Sequence, residues 1–510
     1  MTTPQVPITP RMQAYIARSQ KYLAERSRYI EKVVKKWRFD TIAVHGLYTV
    51  KDAIEDYDGA IIEPVFMSTA QAYRDSDEMA AALAYMIPTW CYSRIANPST
   101  YYLEWTLALL EGYGYSGETT CCSTSSGMAA IAAATQPFLV HTRRHVHEPR
   151  NFVATAQCYG GTFQLFSMRY QQEHNIECRW VQDPTNLDEW ASKIDENTRF
   201  LFGELPSNPQ LSFFDIAAVA DLAHSHDVPL IVDSTVATPA LLRPICHGAD
   251  IVVQSVTKTL STSGFGVAGA VISKSGITTK IPNEQLKKDF CLYIKYLPNR
   301  DTGPNLHPMQ AITTLNDIRT LRNKVDFMSR SAMRVATWLK SHPQVESVQY
   351  LGLPDHPLHD LASRYMWLVD AEYDDLYGKP VNRYGHLLSF CVKGGAQNAR
   401  TVFDGLQRIW RATDLGRIKS VATIPAISTH QQQGEEGRRL ANIPANLVRL
   451  CVGGEHTDDI LADLDQALHR IQLRRQVSLA SPVEKAKRTL KKASSVRRAE
   501  RGRGKRSKTL

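Results

Sequence analysis

Short, nearly continuous apolar runs alternate with longer amphipathic stretches between residues 100 and 275. The runs are TRFLFGELP, VPLIVDSTV, ADIVVQSVT and VAGAVISK, beginning at 198, 228, 249 and 267. Such runs are typical of strands that are buried on both faces. YYLEWTLALLEGYG (101–114) and FDIAAVADLAHSHDV (214–228) have helical periodicity, and the second predicts a crossover helix. The alternation predicts an α/β fold with a mostly parallel sheet and helices on both faces.

The pattern changes on both sides of this region. Residues 11–38 predict a charged amphipathic helix, whereas 40–62 predict irregular structure. Beyond 305, residues 315–343 predict one long helix, followed by strand-like pieces and a closing helix at 457–475. We therefore predict four parts, namely an N-terminal helical arm (1–60), a large α/β domain (61–305), a smaller α+β domain (306–477) and a basic tail (478–510).

Composition narrows the class of protein. The chain has 510 residues, 43% of them hydrophobic and 22% charged, which indicates a globular chain with more than one domain. The nine cysteines include no CxxC pair and their number is odd, so we predict reduced thiols, a cytoplasmic location and no metal site. The N-terminus lacks a signal-peptide pattern, and no run of 18 apolar residues predicts a membrane span.

The net charge of +9 is a property of the tail. Residues 482–510 contain six Lys, six Arg and two Glu, which leaves the rest of the chain close to neutral. This segment lacks aromatic residues and is too polar to bury a core of its own. A solvated tail is the simpler interpretation, and contact with a polyanion such as nucleic acid is the alternative.

Lys258 and Asp233 each follow an apolar run, so both side chains should lie at the carboxyl edge of the sheet, where ligands bind in open α/β folds. One interpretation is a structural ion pair between them. A second is a Ser-x-x-Lys acylase with Ser255 as nucleophile, but its partner motifs do not occur. A third is a pyridoxal phosphate site, with Lys258 bound to the cofactor aldehyde and Asp233 paired with the pyridinium nitrogen.

The third interpretation requires three further parts, and the chain supplies a candidate for each. Gly127 and Met128 open an Ala-rich helix after Ser126 and offer a phosphate-binding helix start. Tyr159 stands before two glycines and could stack on the ring. Arg449 lies inside an apolar strand, where it needs an anionic partner such as a substrate carboxylate.

These residues lie within stretches that resemble the Cys/Met-metabolism family of pyridoxal-phosphate enzymes, the cystathionine γ-synthase and γ-lyase group. The matching stretches, in order, are YSRIANPSTYYLE, SSGMAA, CYGGTFQLF, ELPSNPQL, IVDSTVATP, GADIVVQSVTKTLS and VRLCVGGEHTDDILADLDQAL. The resemblance implies an aspartate-aminotransferase-like fold (fold type I) and an assembly of two or four identical subunits.

The resemblance also implies roles for individual residues. Lys258 would be the cofactor-binding and catalytic lysine, Asp233 the pyridinium partner, Tyr159 the stacking and catalytic tyrosine, and Arg449 the clamp for the α-carboxylate. Asn208 would lie near the phenolic oxygen of the cofactor. The implied phosphate ligands are Gly127, Met128, Ser255 and Thr257, joined by Tyr92 and Arg94 from a neighbouring subunit.

The chain departs from the family pattern at four positions. Thr413 and Asp414 replace the residues before Leu-Gly, where a serine normally helps to hold the substrate carboxylate. Gln164 stands where relatives that handle cystathionine often carry Arg, and Cys91 where they often carry Glu. We therefore expect a distal pocket with less charge, and an aspartate at 414 that needs a partner.

The expected activity is γ-replacement or γ-elimination on a homoserine-derived or sulfur-containing amino acid, as in transsulfuration or methionine biosynthesis. Sulfhydrylation of an O-acylhomoserine and methionine γ-lysis are alternatives within the same family. A non-catalytic scaffold and a nucleic-acid-binding protein are alternatives of another class. The sequence does not choose between replacement and elimination.

Overall fold

The computed structural model describes residues 7–139 and 149–479. Nearly all of the predicted basic tail, and with it the question of polyanion binding, lies outside the described residues. No helix within the described ranges is long and apolar enough to cross a membrane.

A seven-stranded sheet forms the centre of the larger part of the chain. Its strands are β1 (Thr119–Thr124), β2 (Asn151–Thr155), β3 (Glu177–Val181), β4 (Thr198–Glu204), β5 (Leu230–Asp233), β6 (Ile251–Gln254) and β7 (Gly269–Lys274). Their order is β1-β7-β6-β5-β4-β2-β3. The strands from β6 to β3 are parallel, and β7 runs antiparallel to both of its neighbours. The mostly parallel sheet predicted from the sequence is therefore confirmed.

The continuous apolar runs have a simple structural cause in strand β5. Leu230 and Val232 pack into the core on one face of the sheet, and Ile231 packs into the core on the other. Successive side chains of a strand point to opposite faces, so a strand covered on both sides needs apolar residues at every position.

A second sheet of five strands lies in the C-terminal part. It comprises β8 (Val345–Gln349), β9 (Leu387–Val392), β10 (Trp410–Arg411), β11 (Val421–Thr423) and β12 (Leu447–Cys451), in the order β10-β11-β12-β9-β8. All pairs except β10 with β11 are antiparallel. This agrees with the predicted smaller α+β unit.

The helices cover both sheets and form the N-terminal arm. They are α1 (Pro10–Lys32), α2 (Phe39–His45), α3 (Val50–Asp56), α4 (Ser76–Leu83), α5 (Pro98–Glu111), α6 (Gly127–Leu139), α7 (Gly160–Gln164), α8 (Leu187–Ser192), α9 (Ile216–Ser225), α10 (Glu284–Lys288), α11 (Phe290–Tyr296), α12 (Pro298–Thr302), α13 (Pro308–Ile318), α14 (Leu321–Ser341), α15 (His359–Tyr365), α16 (Ala396–Gly405), α17 (Gly434–Leu440) and α18 (Thr457–Leu479).

Two local predictions are wrong. The segment 40–62 is not irregular throughout, because α2 and α3 lie in it, and Thr49 and Asp52 form a capping box at the start of α3. The stretch 315–343 is not one helix, because α13 ends at Ile318 and α14 begins at Leu321. Apolar periodicity continues across this junction, which explains why the sequence pattern did not reveal it.

We keep the four-part division of the chain as a proposal, with one refinement. Within α14, Leu321 and Val325 belong to the core of the large sheet, whereas Ala332 and the apolar residues that follow it in the helix belong to the core of the small one. Helix α14 therefore spans the change of core and connects the two sheets.

Candidate functional site

The carboxyl ends of β5 and β6 hold the first two predicted residues. Asp233 is the last residue of β5, and Lys258 lies four residues beyond Gln254, where β6 ends, at the start of a 3-10 turn. The two strands are parallel neighbours. Lys258 does not pair with Asp233, because its Nζ lies 2.7 Å from Oδ1 of Asp414. The structural ion pair considered from the sequence is therefore absent from the described contacts.

Asp233 is a buried carboxylate with one oxygen free. Its Oδ1 accepts hydrogen bonds from the backbone N–H and the hydroxyl of Thr235, at 3.0 and 2.5 Å. Within the described residues, its Oδ2 has no hydrogen-bond partner. Burial raises the pKa of Asp233 to about 6, although the bonds from Thr235 lower it. A buried acid of this kind gains stability from a cationic N–H donor.

Glu204 is a part of the site that the sequence reasoning missed. It ends β4 and lies directly beside Asp233 in the sheet register. Its two oxygens accept the backbone N–H groups of Tyr159, at 2.6 Å, and of Asn208, at 2.7 Å. Burial, together with the nearby charge of Asp233, raises the pKa of Glu204 well above its usual range. The available signal was a glutamate closing an apolar run one strand before Asp233.

The start of helix α6 has the features expected of the predicted cradle. Ser126 caps the helix, since its hydroxyl accepts the N–H of Ala129 at 3.1 Å. The backbone N–H groups of Gly127 and Met128 have no partner within the described residues, as expected for the first positions of a helix. A Cβ added to Gly127 would lie 2.7 Å from Oγ of Ser255, so only glycine lets the helix start approach the end of β6.

Thr257 is less available than predicted. Its hydroxyl donates to the carbonyl of Ala268 at 2.9 Å and accepts the N–H of the same residue at 3.0 Å. Thr257 therefore holds the segment between β6 and β7 together. Its only hydroxyl hydrogen is already donated, so Thr257 would have to leave the carbonyl of Ala268 to donate to a phosphate.

Arg449 lies in strand β12 with 1% of its surface exposed. Its Nη1 donates to Oδ1 of Asn208 at 2.9 Å, and its Nη2 donates to the backbone carbonyl of Asp414 at 2.7 Å. Its Nε is buried without a hydrogen-bond partner. Burial lowers the pKa of Arg449 to about 10, so the side chain remains a cation near neutral pH. A buried cation with donor capacity to spare is suited to an anionic ligand.

We expected from the sequence that Asp414 needs a partner, and the structure provides two. Its carboxylate contacts Lys258 through Oδ1 and Nε of Arg417 through Oδ2, the latter at 2.5 Å. Burial by itself would raise the pKa of Asp414. The hydrogen bonds and charges of Lys258 and Arg417 outweigh this effect, so the pKa lies below its usual value. Arg417 was not predicted, although an Arg three residues after an Asp was visible in the sequence.

Tyr159 lies beside the same group of residues. Its backbone is fixed by Glu204, its side chain is 38% exposed, and it interacts electrostatically with Arg449 and Asp414. Burial raises the pKa of the Tyr159 hydroxyl. An exposed ring that is anchored at its backbone is a suitable stacking surface.

Tyr92 and Arg94 are not joined to this group by any contact among the described residues. Both are exposed, and the Arg94 guanidinium lies 5.5 Å from the centre of the Tyr92 ring. Arg94 also donates to the backbone carbonyl of Arg300.

The three remaining departures from the family pattern lie in different environments, and Thr413 is exposed. Nε2 of Gln164, at the end of α7, donates to the carbonyl of Gln432 at 2.7 Å. Cys91 is buried, and burial raises the pKa of its thiol.

The combined donor set fits pyridoxal 5'-phosphate. Two unpartnered backbone N–H groups at a helix start suit a phosphate, and a buried carboxylate with a free oxygen suits a protonated ring nitrogen. Lys258 is the primary amine between these two features along the sheet edge, and Arg449 supplies the cation for a carboxylate.

Comparison with known proteins supports this assignment. The family model for Cys/Met metabolism PLP-dependent enzymes matches residues 40–469. An O-succinylhomoserine sulfhydrylase of Pseudomonas aeruginosa is 32% identical over 432 residues, 84% of this chain and 95% of the relative. An L-methionine gamma-lyase of Pseudomonas deceptionensis is 35% identical over 435 residues, 85% of this chain and 98% of the relative.

Solved structures agree in fold. A Campylobacter jejuni protein whose crystal structure contains N'-pyridoxyl-lysine-5'-monophosphate matches with a TM-score of 0.73 and 31% identity, covering 85% of this chain and all of that one. A cystathionine gamma-lyase from Lactobacillus plantarum matches with a TM-score of 0.71 and 29% identity, covering 86% and 100% of the two chains. With its fold, its site and these likenesses taken together, the chain belongs to the Cys/Met-metabolism family of PLP-dependent enzymes.

Proposed function

We propose that this enzyme catalyses γ-replacement or γ-elimination on a homoserine-derived or sulfur-containing amino acid. The observation that carries the proposal is the convergence of Lys258, the free oxygen of Asp233, the α6 helix start and Arg449 at one edge of the large sheet. This complete set argues against a non-catalytic scaffold.

Arg449 would hold the α-carboxylate of the substrate. Its unpartnered Nε and the second hydrogens on its two terminal nitrogens are available, and Asn208 and the carbonyl of Asp414 keep the guanidinium plane fixed. A fixed guanidinium places the substrate Cα without a further ordering cost.

The cofactor would be held at four points. The N–H groups of Gly127 and Met128, with the hydroxyl of Ser255, would bind the phosphate, and Thr257 would join them once its hydroxyl turns from the carbonyl of Ala268. Tyr159 would stack on the ring. The remaining contacts would come from Asp233 at the ring nitrogen and Asn208 near the phenolic oxygen. When bound, pyridoxal phosphate supplies an electron sink for the pair of electrons released at the substrate Cα.

Lys258 would be the group that moves protons. Once its amine is free, Nζ can take the proton from Cα and return it at a neighbouring carbon, and Tyr159 is placed to assist at the exposed side. The same proton transfers serve replacement and elimination, because the two differ only in whether a thiol reaches the γ-carbon.

The substrate class follows from the distal side of the site. Gln164 is neutral, and its amide is engaged with Gln432, so this side chain offers no positive charge to a second carboxylate. We therefore favour a substrate with one carboxylate, such as an O-acylhomoserine or methionine, over cystathionine. This agrees with the relatives, which are named as sulfhydrylases and methionine gamma-lyases.

The test combines a spectrum with a substrate panel. The purified protein should show an absorbance band at about 420 nm after addition of pyridoxal phosphate, and Lys258→Ala should lack it. O-acylhomoserines, methionine and cystathionine would then be offered with and without sulfide. Release of a 2-oxo acid and ammonia without sulfide indicates elimination, and formation of homocysteine that depends on added sulfide indicates replacement. A wild-type protein without the band, or a Lys258→Ala variant that keeps the band after unbound cofactor is removed, refutes the proposal.

We also propose that the active unit is a homodimer or homotetramer in which Tyr92 and Arg94 complete the phosphate site of the neighbouring subunit. Three observations support this: both residues are exposed, they lie apart from the site of their own chain, and Ile61, in the preceding segment, is 93% exposed. Mixing inactive Arg94→Ala and Lys258→Ala subunits should restore part of the activity, and no restoration would refute shared sites.

We place the enzyme in the cytoplasm. All nine cysteines are free thiols, and seven of them are buried. Imaging of a tagged full-length chain in its own cell tests this assignment.

A further inference from the structure

The loop that carries Asp414 is locked onto the turn that carries Lys258. Nη1 of Arg417 donates to the carbonyl of Ser261 at 2.8 Å, while its Nε binds Oδ2 of Asp414. A Cβ added to Gly416 would lie 2.6 Å from the backbone nitrogen of Thr259, so the two backbones are in close contact. Asp414 is therefore held in place rather than free to turn into solvent.

Asp414 also stands where the family pattern has a neutral serine. Its Oδ1 lies 2.7 Å from Nζ of Lys258, a direct ion-pair contact. The side chains are only 25% and 31% exposed, so water screens the pair less than it would at an open surface.

Building on the function proposed above, we propose that Asp414 is a positioning residue whose carboxylate is the counter-ion for positive charge on Nζ of Lys258. Arg417 weakens the ion pair between Asp414 and Lys258. When Nζ takes a proton from the substrate Cα, the C–H bond breaks, an N–H bond forms, and the electron pair stays with the carbon. The new positive charge arises 2.7 Å from a fixed carboxylate. Arg417 shares that carboxylate and so prevents the ion pair from holding the amine too tightly.

The charged and titratable groups on β12, at Tyr159 and at His386 do not change state between about pH 6 and 9. Arg449, on β12, remains a cation. Burial raises the pKa of Cys451, also on β12, to about 11, and raises the pKa of Tyr159 as well. Burial lowers the pKa of His386, which contacts Thr259, to about 4. These groups therefore add no pH dependence to a signal at Nζ, and the nearby acids with raised pKa values, Asp233 and Glu204, are the same in every variant.

The test uses the full-length holoenzyme and its visible spectrum. When Nζ is bound to the cofactor aldehyde, it can carry a proton and with it a positive charge. The band at about 420 nm is lost when that proton leaves. Asp414→Asn should lower the pH at which half of the band is lost by about one unit or more. Arg417→Met should raise this midpoint by about half a pH unit, because the carboxylate of Asp414 then pairs with Nζ alone.

The matched control is Asp317→Asn. Asp317 accepts hydrogen bonds from Ser261 and Ser263 at the same turn, at 3.3 and 2.5 Å, and does not contact Nζ. Its substitution should leave the midpoint within about 0.3 pH units of the wild type. Glu204 and Asp233, at the neighbouring strand ends, are present in every variant, and their contribution cancels in the comparison.

A second readout follows the proton itself. Exchange of the Cα hydrogen of glycine with deuterated solvent, followed by NMR, should slow about tenfold or more in Asp414→Asn at pH 7.5. A purely structural role would leave both the midpoint and the exchange rate of folded protein unchanged.

The outcomes separate this inference from the proposed function. Absence of the band in the wild type would overturn the proposed function. A band that forms but has the same midpoint in Asp414→Asn, or shifts in the same direction in Asp414→Asn and Arg417→Met, would overturn the counter-ion role. If Asp414→Asn folds poorly, Arg417→Met still decides, because it leaves Asp414 in place.

Discussion

Replacing Gly127 by alanine tests the cradle at the start of α6 most directly. The added Cβ would lie 2.6 Å from Cβ and 2.7 Å from Oγ of Ser255. Ordinary carbon contacts are about 3.5–4.0 Å, so the helix start must move by about 1 Å. Overpacking of this kind costs about 1–3 kcal/mol. Because alanine also favours the helical conformation, we expect the substitution to distort the cradle more than it lowers the free energy of unfolding.

We expect Gly127→Ala to weaken pyridoxal phosphate binding by roughly 30-fold, which corresponds to about 2 kcal/mol. The assay is a titration of the full-length protein with the cofactor, followed at about 420 nm, with thermal unfolding recorded in parallel. The midpoint of unfolding without cofactor should change little.

A compensating substitution makes the test specific. Ser255→Gly removes the Cβ that the new methyl meets, so Gly127→Ala/Ser255→Gly should bind the cofactor more tightly than Gly127→Ala alone. Gly127→Ala/Ser255→Ala keeps that Cβ and should not recover. Recovery in both double variants, or affinity within threefold of the wild type in Gly127→Ala (about 0.7 kcal/mol), would refute the reasoning.

Three further predictions concern the substrate clamp, the buried acid and the distal pocket. Arg449→Met should lower kcat/KM for amino-acid substrates by about 100-fold or more. Arg449→Lys should recover only part of this activity, because lysine cannot donate two parallel hydrogen bonds to a carboxylate. Equal activity of the two variants would contradict the role of Arg449 as the carboxylate clamp. Because the folded pKa of Asp233 is raised to about 6, its contribution to the stability of the cofactor-free protein is present below about pH 4 and lost as the pH rises through about 6. Over this pH range, the free energy of unfolding of Asp233→Asn should therefore fall by about 3 kcal/mol less than that of the wild type, as measured by denaturant unfolding at a series of pH values. Parallel profiles of the two proteins would refute this prediction. Gln164→Arg should raise the ratio of kcat/KM for cystathionine to that for O-acetylhomoserine by about tenfold, whereas Gln164→Met should not.

Apolar patterning predicted the strands that carry the chemistry but not the whole sheet. The central strands β4, β5 and β6 have apolar residues on both faces, and their sequences show this directly. Strand β1, with the sequence TTCCST, lies toward the edge and is only partly buried, so its pattern is weak. The break between α13 and α14 was likewise hidden, because both helices contribute apolar residues to one core.

The sequence by itself determined the residues to which we assign the chemistry. A lysine and an aspartate after buried strands, a glycine helix start and an arginine within an apolar strand are each costly or unusual, and such residues stand out locally. Their order along the chain was enough to indicate the family.

Only the tertiary structure decided how these residues are partnered. Asp414 and Lys258 are 156 positions apart, and Glu204 reaches Tyr159 across 45, so no local pattern could pair them. The contacts arise because the strand ends and the small-sheet loop meet in space, and burial there sets the charge state of each group. A sequence records which groups are present, whereas hydrogen bonding and desolvation depend on distances that folding alone fixes.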